Sequence, residues 1–151
     1  MFVGMWVQVP WEVRAPKVVA VSVESDSPFE ALNTTANAVF SAPGFVSSPI
    51  HQNWSGFVNA ASPARPNEVI SLYATGLGPV QLAVATGASG PGNPPSLVAT
   101  PFSCNVPVPF AGLAPGLVGF YQVSLQMPPT GPNPVQVSCT GGVSLFVAFQ
   151  P

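Results

Sequence analysis

The chain has 151 residues, of which only 5% are charged and 47% are apolar, and its net charge is −2. Its three basic residues, Arg14, Lys17 and Arg65, form no cationic stripe to neutralise phosphates, which argues against nucleic acid and anionic membrane surfaces as partners. Prolines interrupt every apolar run before the roughly 18 to 20 residues of a membrane helix, so no membrane span is expected and the surface must consist of Ser, Thr, Asn, Gln, Gly and Pro.

Residues 1–10 are apolar but lack a basic leader and a small-residue cleavage site, and Trp6-Val7-Gln8-Val9-Pro10 reads as a strand. Any export signal is therefore expected upstream of this sequence. Val19, Val21 and Val23 alternate with Ala20, Ser22 and Glu24, the period of a half-buried strand. Glu24 and Asp26 would share a strand face and could help hold calcium, although a solvated strand end explains them more simply. Asn33-Thr34-Thr35 and Asn53-Trp54-Ser55 read as polar loops.

Further strands are predicted over 68–74, 97–106, 120–127, 135–140 and 144–149. The clearest is 120–127, where Tyr121, Val123, Leu125 and Met127 fall on one face and Gln122, Ser124 and Gln126 on the other. The Gly, Pro, Ser, Ala and Asn of 86–95 form an exposed loop. Gly141-Gly142 signals a tight hairpin, because both central positions of the favoured turn need positive φ. No window free of proline has helical periodicity with caps.

The chain also echoes itself. Residues 2–10 resemble 120–128, and 19–23 resemble 135–139 in the same order. Tandem copies of one β-module, with 1–27 as the terminal strands of the first, explain the echo. One larger sandwich is the alternative.

Chemistry has few carriers. The single histidine, His51, lies among Ser, Pro and Asn, and there is no Gly-x-Ser-x-Gly elbow beyond the superficial Gly87-Ala88-Ser89-Gly90. A hydrolase would need His51 within hydrogen-bond reach of a serine or carboxylate inside a pocket, and no such arrangement is expected. One histidine and two cysteines 35 positions apart give no metal-ligand spacing, and no cofactor or catalytic residue is assigned. The glycines of Gly76-Leu77-Gly78 suit a sharp bend; a phosphate-binding loop would need a helix after them, which 80–86 does not provide.

Alternation points Cys104 inward with Phe102 and Val106, and Cys139 inward with Val135 and Val137. The two form either a disulfide in an exported protein or a pair of small buried hydrophobes. Trp6, Trp11 and Trp54 either close the core or stack on sugar rings. Trp54 is the best placed for carbohydrate, because Gln52, Asn53, Ser55 and Asn59 around it could bond hydroxyl groups.

Four ordered blocks carry a resemblance: Asn59-Ala60-Ala61-Ser62-Pro63-Ala64-Arg65-Pro66, Val69-Ile70-Ser71-Leu72-Tyr73-Ala74-Thr75-Gly76-Leu77-Gly78-Pro79, Phe110-Ala111-Gly112-Leu113-Ala114-Pro115-Gly116, and Gly119-Phe120-Tyr121-Gln122-Val123. They resemble the C-terminal domain of secreted acidobacterial proteins of the Solibacter type. Val7-Gln8-Val9-Pro10-Trp11-Glu12 and Ala42-Pro43-Gly44-Phe45 are similar to that family's preceding segment. Asn67 departs from it where a glycine is expected, and Ser124 where an asparagine is.

The resemblance implies an immunoglobulin-like antiparallel β-sandwich near the end of a larger exported protein, with no established catalytic residues. The resulting expectation is an all-β chain with essentially no helix. Residues 1–27 would belong to a preceding module, 28–56 would connect, and 57–151 would form the sandwich. Its role would be a non-catalytic, extracellular or cell-surface structural or adhesive module. Its partners would be neighbouring domains or cell-surface material, with polysaccharide binding through Trp54 as the alternative.

Overall fold

The computed structural model describes residues 17–23, 32–38 and 42–151. The chain divides into two compact units, Met1–Phe40 and Ser41–Pro151. In the first, β1 (Lys17–Val23) pairs antiparallel with β2 (Leu32–Ala38), with Val21 opposite Thr34. The polar β2, Leu-Asn-Thr-Thr-Ala-Asn-Ala, has no apolar alternation and was expected as loop. Trp6, Trp11, Glu24 and Asp26 lie outside the described residues, as does the 2–10 segment of the internal echo.

The second unit is all-β, with antiparallel sheets packed around one core. Its larger sheet is built on β5 (Val69–Thr75) and β7 (Tyr121–Gln126), paired so that Leu72 faces Val123. β6 (Phe110–Leu113) flanks β7, while β3 (Gly44–Phe45) and β4 (Ile50–His51) both lie along the other edge of β5. The second unit therefore begins well before residue 57. The segment 28–56, expected to connect, holds β2, β3 and β4, and the latter two complete the sheet edge.

The smaller sheet is β8 (Val135–Ser138) with β9 (Ser144–Val147). These two strands pair antiparallel as expected, and Gly141 and Gly142 take positive φ of 79° and 77°. The connection is a three-residue 3-10 turn, Thr140–Gly142, rather than a two-residue one. It is the only helical element among the described residues.

Alternation in the sequence becomes burial in the fold. Tyr121, Val123, Leu125 and Met127 are each 3% exposed or less, and they meet Ile70, Leu72, Val137, Val147 and Phe149 in one core. Ser124, expected on the polar face, is also nearly buried, where its hydroxyl pairs with that of Ser71 directly opposite on β5.

The expected strand over 97–106 is not continuous. Leu97 and Val98 bond to the edge of β6, and Cys104 to Cys139 beside β8, with Pro101 between them lacking an N–H for any ladder. Inward alternation nonetheless holds at Phe102, Cys104 and Val106, and Cys104 and Cys139 are joined by a disulfide. The 86–95 loop is exposed except at half-buried Pro91 and at buried Gly90, whose backbone bonds Leu117 and Gly116. At Gly76 φ is +69°, and a Cβ there would lie 2.1 Å from the Ala42 carbonyl oxygen, so the bend after β5 requires glycine.

Candidate functional site

Three consecutive turns on one edge of the larger sheet gather the site. In the first, β4 ends at His51, and the chain turns so that the Trp54 N–H donates to the His51 carbonyl and the His51 N–H to the Gly56 carbonyl. Trp54 sits there at φ 57°, a left-handed conformation unusual for a bulky side chain, and the residue is 57% exposed. In the second turn Asn59 and Ser62 exchange backbone hydrogen bonds around Ala60-Ala61. In the third, the Glu68 N–H donates to the Arg65 carbonyl across Pro66 and Asn67. With proline second and Asn67 third at φ 61°, it has the residues of a type II turn. That explains how asparagine can stand where the resembled family has glycine, since asparagine tolerates this conformation best among the others.

Together these turns and Gln150 line a cleft of about 760 Å³. Gln52, Asn53, Ser55, Arg65, Asn67 and Glu68 supply much of its polar wall. Of the residues expected to contact carbohydrate, Gln52 and Asn53 line it; Trp54 does not, although its chain neighbours Asn53 and Ser55 do. Asn59 does not line it. Its side-chain oxygen accepts from the N–H groups of Ala61 and Ser62 and its amide donates to the Phe57 carbonyl, so it shapes the second turn.

His51 is 8% exposed and links all three turns. Its Nδ1 lies 2.7 Å from Glu68 Oε1, and its Nε2 lies 3.0 Å from Ser62 Oγ and 3.2 Å from the Ser62 carbonyl oxygen. The expectation that no serine or carboxylate would reach His51 inside a pocket is thus overturned. No local motif joins these groups, which come from separate turns brought together by β4–β5 pairing.

Burial pulls the Glu68 carboxyl up, but the Arg65 N–H, the hydrogen bond and charge of His51, and the Gln52 backbone together hold it below its ordinary value. Glu68 is therefore ionised at neutral pH and accepts hydrogen bonds only. In the neutral imidazole Nδ1 then carries the proton toward Glu68, leaving Nε2 as acceptor for the Ser62 hydroxyl. In the imidazolium, Nε2–H finds the Ser62 carbonyl as a second acceptor.

Charge is concentrated here to an unusual degree. Between residues 41 and 151 the sequence contains one histidine, one arginine and one carboxylate side chain, namely His51, Arg65 and Glu68, and all three line this cleft. The disulfide lies elsewhere, tying Cys104 to the end of β8. In comparisons with known proteins, no family model, curated protein or solved structure matches the chain.

Proposed function

We propose that this chain is an extracellular adhesive module, an immunoglobulin-like sandwich carried by a larger exported protein, whose cleft binds polysaccharide. The observation that carries the reading is Trp54, an exposed tryptophan at positive φ, flanked in the chain by the cleft-lining Asn53 and Ser55. Indole faces stack on sugar rings, and Gln52, Asn53 and Ser55 offer the amide and hydroxyl groups that pair with sugar hydroxyls. Strain retained in an exposed aromatic is more economically explained by binding than by folding.

Two further features support the address. The Cys104–Cys139 disulfide suits an oxidising compartment. The four sequence blocks resembling secreted acidobacterial domains agree with it, and the near-absence of surface charge suits packing against neutral glycan or adjoining modules.

Titrating a panel of neutral and acidic polysaccharides against tryptophan fluorescence tests the proposal. A ligand is expected to perturb the signal, and Trp54→Ala should weaken its binding by about thirtyfold, the effect of truncating a central aromatic contact worth roughly 2 kcal/mol. No response across the panel, or unchanged binding by the variant, would overturn it.

A further inference from the structure

We infer that Ser62, His51 and Glu68 form an acyl-transfer site that hydrolyses ester groups on the carbohydrate held in the cleft. The substrate class rests on the glycan-binding reading; the chemistry rests on geometry alone. A serine nucleophile needs a base on its hydroxyl and a third group fixing that base, and the constellation is recognised by roles rather than by chain order. Here Nε2 lies 3.0 Å from Ser62 Oγ, and Nδ1 lies 2.7 Å from the ionised Glu68. Ser62 is exposed to solvent, His51 is buried, and all three line the same cleft.

In the first step Ser62 Oγ bonds to the ester carbon as its proton passes to His51 Nε2. Glu68 stabilises the imidazolium through Nδ1–H, and the Ser62 carbonyl oxygen, 3.2 Å from Nε2, is a further acceptor for it. The tetrahedral intermediate expels the sugar alkoxide, which takes the proton from Nε2 and leaves as the alcohol. Water then adds to the acyl carbon while giving a proton to Nε2, and Ser62 Oγ departs with that proton, releasing the carboxylic acid. One water is consumed and no redox partner is needed. Arg65 also lines the cleft, with no acidic side chain paired to it among the described residues, and supplies the cleft's one fixed positive charge.

The test treats the full chain with an alkyl fluorophosphonate and, separately, with p-nitrophenyl acetate and an O-acetylated xylan. The expected result is a covalent adduct mapped by mass spectrometry to Ser62, with release of p-nitrophenol and acetate. Ser62→Ala, which removes only the exposed hydroxyl and leaves the turn's backbone bonds, should abolish the adduct and lower both rates about a hundredfold or more. Glu68→Gln should slow labelling at Ser62 while the protein remains folded by circular dichroism, marking Glu68 as a positioning residue. No adduct at Ser62, or rates unchanged in Ser62→Ala, would overturn the proposal. Binding of the xylan to Ser62→Ala is measured in parallel, so that loss of glycan recognition is separated from loss of chemistry.

Discussion

At Trp54 the backbone adopts a conformation that glycine would occupy at no steric cost, and the fold tolerates an indole there instead. The left-handed region costs an ordinary residue roughly 1–2 kcal/mol, and glycine would offset part of that relief by losing more conformational entropy on folding. Trp54→Gly is therefore expected to raise stability by about 0.5–1 kcal/mol, measured by urea unfolding, while removing polysaccharide binding. A destabilised variant would mean that the ring holds the turn rather than a ligand. Gly76 gives the opposite case: Gly76→Ala brings a methyl against the Ala42 carbonyl and a positive φ, and should lower the unfolding midpoint by an amount equivalent to about 2 kcal/mol or more.

Among the elements, the three turns are held to one another through His51 and Glu68, and this clamp depends on pH. Glu68 has a folded pKa below its ordinary value of 4.5, so its contribution to stability is fully present above that value. It is lost as pH falls through the lower, folded pKa. Amide exchange in residues 49–68 should accelerate selectively as pH falls below the ordinary carboxylate value of 4.5 and through the lower, folded one, and Glu68→Gln should remove that acid sensitivity. Exchange that rises equally across β7 would assign the acid effect to the whole domain instead.

The strands of the core were legible because Val, Leu, Tyr and Met alternate along 121–127 and Val along 135–137, and burial follows that alternation. β2, β3, β4 and β6 were not, since they are polar, only two residues long, or interrupted by glycine, and gain their strand geometry from the partner rather than from their own period. The cleft escaped for a related reason. Its chemistry comes from residues 51, 62 and 68, too far apart for a local motif, yet Asn59-Ala60-Ala61-Ser62 and Arg65-Pro66-Asn67-Glu68 carry turn residues close to the chain's only histidine. Successive turn signals around a lone histidine would have been the usable clue.

For the whole molecule, Cys104 and Cys139 span 35 positions and pin the irregular 103–105 segment to the smaller sheet. Closing a loop of that size stabilises by about 4 kcal/mol in the chain-entropy model. Reduction, or Cys104→Ala with Cys139→Ala, should shift the urea midpoint accordingly. Two titratable thiols in the denatured, unreduced protein would refute the bridge.

The gathering of every ionisable Arg, His and Glu of residues 41–151 into one cleft has a consequence for the medium in which the module works. Elsewhere its surface offers mobile ions almost nothing to screen, so its packing and its contacts with neutral material should hardly change between dilute and saline water. Only the cleft should sense acidity, which makes this unit a nearly salt-blind body with one local pH-responsive spot.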